Sequence, residues 1–192
     1  LIKNADDYAA NRETATNTTY GPFGARYAGA LGNTLRISMC PSSQAYSANL
    51  TVTDSLKANA VTSGDTTINI NGTANAAANI VARDLISFDG GTTYYTVASV
   101  NATAIILTSA PGAITVGTPI LRKWQYADQF GVAPGTSSYV SGLTGSGDEM
   151  HVIIVDEDGK FSGGVANTVL EKYSFVSKAS DAINNDGSTN YY

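Results

Sequence analysis

The run Met150–Val155, MHVIIV, constrains this chain more than any other stretch. It is short, continuous and rich in Val and Ile, the pattern of a strand buried on both faces. Asp156 to Gly159 breaks it. Asp158 and Gly159 supply the positive φ of a tight reversal, so a second strand is expected to return near Lys160 to Ser162. A third apolar segment, Thr168 to Val176, alternates as VLEKYSFV. There Val169, Tyr173 and Phe175 are placed to cover a core, while Glu171 and Lys172 face water.

Upstream, Leu35 to Cys40 reads as a strand that Pro41 stops. Asn4 to Thr14 has helical character, with Asp6 and Asp7 near its N-terminus where the helix dipole favours negative charge. Gly21 to Asn33 reads as one short helix or turn, with Tyr27, Ala28 and Leu31 at helical spacing and Gly32-Asn33 ending it. Between Thr51 and Leu121 the pattern changes. Short β signals recur at Thr66 to Ile70, Leu85 to Phe88, Thr93 to Val100, Ala104 to Leu107 and Thr118 to Leu121, separated by Asp89-Gly90-Gly91, Asn101-Ala102 and Pro111-Gly112. Five short strands at hairpin spacing predict a small barrel or sandwich. Ile68, Ile70, Ile80, Leu85, Ile86, Phe88, Val97, Ile105, Leu107 and Ile120 would fill it.

The chain is therefore expected to be α+β. A mixed α/β host domain, residues 1–50 and 122–192, is interrupted by a small all-β barrel or sandwich inserted at 51–121; insertion at an exposed loop is well tolerated. Trp124, Tyr126 and Phe130 bring the chain back to the host core. Such an aromatic row can stack on a sugar or base, but it also serves as packing. Ala133 to Gly147, rich in Pro, Gly, Ser and Thr, reads as a loop anchored by Tyr139 and Leu143.

Composition narrows the chemistry. A net charge of −5 and scattered Lys and Arg argue against a nucleic-acid partner. Only 14% of residues are charged, against about 25% in a typical domain, so solubility rests on Thr, Ser, Asn and Gly. That is a surface common where many copies pack together and also on ordinary small β domains. The lone Cys40 cannot form an internal disulfide, which points to a reducing compartment of folding, and it reads as a small core residue. A nucleophilic scheme would need the single histidine, His151, beside it. Asp148, Glu149, Asp156, Glu157 and Asp158 flank one strand and invite comparison with paired carboxylates of glycosidases or with a calcium loop. The remaining calcium ligands are missing, and a solvated hairpin turn is the simpler reading. Ser162 to Gly164 is no phosphate loop, since no Gly-Lys-Ser or Gly-Lys-Thr follows. No run of about 20 apolar residues predicts a membrane span. No catalytic, cofactor-binding or metal-binding residue is assigned, and no cofactor is expected.

Three long stretches carry a resemblance. "NRETATNTTYGPFGARYAGALGNTLRISMCPSS", "RKWQYADQFGVAPGTSSY" and "EMHVIIVDEDG" followed by "TVLEKYSFVSKASDA" and "DGSTNYY" resemble the contractile-tail sheath proteins of myophages, over about half to two thirds of the chain. The resemblance implies a non-enzymatic virion protein, made in the cytoplasm of the bacterial host. It would self-associate helically around a tail tube and contract to drive that tube through the envelope for genome ejection. Its other partners, the tube and the baseplate, would be met through parts of the full-length protein outside this chain. The chain starts without Met and stops just after a turn, so it is expected to be the middle, outward-lying portion of a longer subunit. The resemblance lapses over 51–121, where a decorating role is preferred. A surface-exposed module binding a host glycan or protein is the alternative; against it, Tyr94 and Tyr95 are adjacent and point to opposite faces of a strand.

Overall fold

The computed structural model describes residues 5–10, 23–24, 30–53, 57–71 and 79–192. The chain is mostly β, with two sheets and few helices: 36% strand and 15% helix. The helices are short, α1 (Ala5–Tyr8), α2 (Ser43–Tyr46), α3 (Leu50–Thr53) and α4 (Ser138–Gly142). Of the helix expected over Asn4 to Thr14, the described residues 5–10 are all helical, α1 running on into a π turn, and the rest lies outside the described residues. Of the segment expected to turn over Gly21 to Asn33, its described end is a 3-10 turn, Ala30–Thr34; most of the rest lies outside the described residues.

The smaller sheet is built on the run that opened the sequence reading. Its order is β1 (Leu35–Cys40), β9 (Glu149–Asp156), β10 (Thr168–Ser177), all antiparallel. The central β9 is buried along nearly its whole length, with Ile153 and Val155 fully enclosed. That is why five apolar residues and one histidine stand here in a row without polar alternation. The strand expected at Lys160 to Ser162 is absent. The carboxylate of Asp156 accepts from the backbone N–H groups of Lys160 (3.0 Å), Phe161 (2.7 Å) and Ser162 (2.8 Å), holding them in a loop. Those donors are therefore not free for a ladder. Gly159 at φ +78 is required there, because a Cβ would lie 2.7 Å from the Gly164 carbonyl carbon.

On β10 the expected alternation also fails. The register slips between Val169 and Glu171 and again between Tyr173 and Val176, where Phe175 takes φ 57. Each bulge resets which face a side chain meets. Val169 packs on the core, but Tyr173 and Phe175 are exposed along with Glu171 and Lys172.

The larger sheet has the order β2 (Ser47–Asn49), β8 (Leu121–Lys123), β5 (Leu85–Ser87), β6 (Tyr95–Val100), β7 (Ala104–Leu107), β4 (Thr67–Asn71), β3 (Lys57–Ala58). It does not close into a barrel. Its far edge comes round to residues 114–119 only through isolated bridges, Lys57 to Pro119 and Val61 to Ile114. Pro119 has no N–H to give a ladder, and Gly117 at φ +85 turns the chain just before it, so the strand expected at Thr118 to Leu121 begins only at Leu121.

Two buried clusters sit apart. One is aliphatic and drawn from residues 50–120, including Ile68, Ile86, Ile105 and Ile120. The other joins Cys40, Trp124, Tyr126, Phe130, Ile153 and Val155. Between them runs the ribbon β2–β8, the end of the larger sheet beyond β5, where Asn49 stands opposite Leu121 and the Leu50 N–H donates to the Ile120 carbonyl at 2.9 Å.

Candidate functional site

Cys40 and His151 stand directly opposite each other on β1 and β9, so the fold does juxtapose the thiol and the only histidine. Their hydrogen bonds lead elsewhere. The Cys40 thiol points to the Ser42 carbonyl at 3.4 Å, and burial pushes it up to about 11, which keeps it protonated at neutral pH. His151 lies 2.9 Å through Nε2 from the Val132 carbonyl, which can only accept. It lies 3.1 Å through Nδ1 from the Phe175 N–H, which can only donate. These partners fix the neutral Nε2–H tautomer and leave no lone pair for a thiol. The ring stacks on Phe130 (centroids 4.3 Å, planes 3° apart) and meets Phe175 edge-on. The imidazole is a packing and hydrogen-bonding element.

The carboxylates are no closer to a reactive pair. Asp148 precedes β9 and Asp156 ends it, so eight strand steps at about 3.3 Å each put them roughly 26 Å apart. A glycosidase pair stands about 5–9.5 Å apart. Each is a structural anchor. Asp148 accepts from the Ser137 N–H and Oγ, both at 2.8 Å, and from the Ser177 hydroxyl, tying α4 and the end of β10 to the start of β9. Burial alone would raise this carboxyl, but the Ser177 and Ser137 hydrogen bonds hold it below its ordinary value. Asp156 behaves alike: burial opposes, and the Ser162, Phe161 and Lys160 donors outweigh it. Glu149 accepts from the Gly135 N–H at 2.9 Å. Glu157 faces two arginines: Arg83 donates to it, and Arg36 Nε lies 3.4 Å away without hydrogen-bond alignment. Asp158 is exposed. Among the described residues no three His, Cys, Asp or Glu side chains gather as metal ligands, and no helix is long and apolar enough to cross a membrane.

The aromatic row is interior. Trp124, Tyr126 and Phe130 are buried, Trp124 stacks on Phe130 with centroids 5.5 Å apart, and its indole N–H donates to Ser38 Oγ at 2.9 Å. No face of the row is left for a base or sugar.

The surface that stands out is β10. It is the edge of its sheet over ten residues, and Leu170, Tyr173 and Phe175 are exposed along it beside Glu171 and Lys172. Near its end the C-terminal segment adds a parallel bridge, Ser177 to Tyr191, with Tyr191 and Tyr192 exposed. An apolar edge strand offers unpaired backbone groups to another chain. Periodicity places Tyr173 and Phe175 in the core, but residues 170–175 are exposed on both alternate sets, so among the described residues no layer covers this stretch of β10.

Sequence reading missed a second group, the ionic contacts around the β2–β8 ribbon. Arg122 forms a bidentate pair with buried Asp84, at 2.6 and 3.2 Å. Burial pushes the Asp84 carboxyl up and Arg122 pulls it back. Single charges 38 residues apart carry no local signal.

No family model, curated protein or solved structure matches the chain.

Proposed function

We propose that this chain is the middle portion of a contractile tail sheath subunit, interrupted at 51–121 by an inserted β domain. The observation that carries the reading is where the three resembling stretches come together. Cys40 from the first, Trp124, Tyr126 and Phe130 from the second, and Ile153, Val155 and Val169 from the third share one buried cluster. The span where the resemblance lapses fills the separate aliphatic cluster. An intruding domain with adjacent ends would be joined in this way, and the ribbon of Ser47–Asn49 against Leu121–Lys123 supplies the adjacent ends.

The apolar edge of β10 suits a protein that assembles with copies of itself. Heterologous contacts that do not close into a ring propagate as a filament, and contraction then shifts subunits as rigid bodies between two packings. In this reading the mechanism needs positioned surfaces rather than a reacting group. The buried polar anchors Asp148, His151 and Asp156 hold the strand on which those surfaces depend.

Electron microscopy of the full-length protein tests this. Regular tubes or sheath-like polymers are expected. A discrete soluble particle that binds a glycan array through residues 51–121 would replace the sheath reading with that of a surface-binding module.

A further inference from the structure

The strand β8 is laddered to β5 on one side and to β2 on the other, so it belongs to the larger sheet, and the chain leaves that sheet for the second cluster at two adjacent points, Tyr46–Ser47 and Lys123–Trp124. Two adjacent crossings are by themselves a hinge, since they join two bodies along one line. Here three polar ties cross the same joint at separate points. The first runs from Asp84 through Arg122, both on the larger sheet, to the Gln44 carbonyl, 3.3 Å from Arg122. Next along β8, and so on its opposite face, Lys123 lies 3.0 Å from Asp128 and 4.5 Å from the ring centre of Tyr94. The third is Arg83, which reaches Glu157 beyond the end of β9, where Arg36 also points.

Arg83 and Asp84 belong to one turn, and that turn is fixed to the aliphatic cluster. The Arg83 N–H donates to the Val97 carbonyl at 2.7 Å, and the Val97 N–H donates to the Asp84 carbonyl at 2.8 Å. Arg83 holds φ 76, a conformation costly for a side chain other than glycine unless its surroundings impose it. The turn is thus a stiff bracket on one body, from which Arg83 reaches the other directly and Asp84 reaches it through Arg122.

We propose that this bracket locks the 50–120 body to the β1–β9–β10 body, so that the two move as one: the buried Arg122–Asp84 pair is a pivot, and the Arg83–Glu157 and Lys123–Asp128–Tyr94 ties are stops on either side of it. Contact at one line permits rocking; contact at three separated points forbids it. The inference rests on the joint alone and holds whether or not the protein is a sheath subunit.

Distances between spin labels at Ser63→Cys, on an exposed turn of the first body, and Ser180→Cys, exposed on the second, test it by double electron–electron resonance. Cys40 is buried, and the protein without added cysteines should take no label. The labelled parent should give one narrow distance distribution. Arg83→Gln with Lys123→Gln removes the stops without touching the buried pair, and should broaden the distribution at least about twofold while circular dichroism shows the fold intact. A broad distribution in the parent, or an unchanged width in the folded double variant, would overturn the lock. Should the double variant unfold, Glu157→Gln alone, at a partly exposed carboxylate, decides by the same two outcomes.

Discussion

The two buried clusters are held together by different means. The 50–120 cluster has only aliphatic side chains among its buried members, and its strands pair both with near neighbours, β5 with β6 and β6 with β7, and across the chain, β4 with β7 and β5 with β8. The second cluster combines indole, phenyl, phenol and thiol groups from segments on both sides of the 51–121 excursion. Its central strand also buries His151 and Asp156, and Asp148 is buried just before it. Apolar packing alone tolerates shifts of register, whereas each buried polar group accepts one arrangement and penalises the others.

The largest effect should come from the joint between these regions. Arg122→Met leaves the Asp84 carboxylate buried without its partner, which costs about 3–5 kcal/mol by urea denaturation. Adding Asp84→Leu should restore most of it. A single-variant cost below about 1 kcal/mol would mean that the joint is open to water, and the two regions would then be separable by a weaker boundary than argued here.

Cavity variants break or sharpen the contrast next. Ile105→Ala and Ile153→Ala each remove a fully buried side chain, one per cluster, at about 2–5 kcal/mol. The single Trp124 lies in the second cluster only and reports on it. Ile153→Ala should lower the midpoint followed by Trp fluorescence. Ile105→Ala should lower a component of the far-UV circular dichroism while the fluorescence midpoint stays closer to that of the parent. Equal shifts in both signals for both variants would make the clusters one cooperative unit.

Acid should act on the second region. The folded carboxyls of Asp148 and Asp156 lie below their ordinary value because burial is outweighed by serine and backbone donors. A depressed carboxyl contributes stability that is complete above its unfolded value, about pH 4, and is lost as pH falls through the folded value. Asp84, raised by burial, has the opposite sign and loses its contribution as pH rises. Urea midpoints should therefore fall below about pH 4, and Asp156→Asn should be less stable at neutral pH and flatter in acid. An unchanged acid slope would exclude Asp156 as a source of that dependence.

Much of the fold was legible from the residues. Leu35–Cys40 and Ala104–Leu107 are strands at the limits read from sequence, because a proline and an Asn-led turn punctuate them. Met150–Val155 is the buried centre of a sheet, as an unalternating Val and Ile run requires. What escaped was set by tertiary contacts. Asp156 looked like the start of a hairpin turn, yet its carboxylate takes the N–H groups that the second strand needed. Tyr173 and Phe175 have core spacing, yet residues 170–175 are exposed on both alternate sets because no described layer covers them. The aromatic row was readable as packing, whereas the Asp84–Arg122 pair was not, since nothing in local sequence links two charges 38 residues apart.

The smallest effect expected is also the most selective. At about 11, the Cys40 thiol is ionised at pH 8 in only about one molecule in a thousand, and its side chain is closed off besides. Modification by a thiol reagent must therefore wait for the second cluster to open. Ile153→Ala should raise the labelling rate in proportion to its loss of stability, whereas Ile105→Ala should leave the rate near that of the parent. Cys40 packs in the cluster of Trp124 and Ile153, and none of its buried cluster neighbours belongs to the aliphatic set. If Ile105→Ala accelerates labelling as much as Ile153→Ala, opening spreads across the ribbon. The difference between the clusters would then be one of composition alone and not of cooperativity.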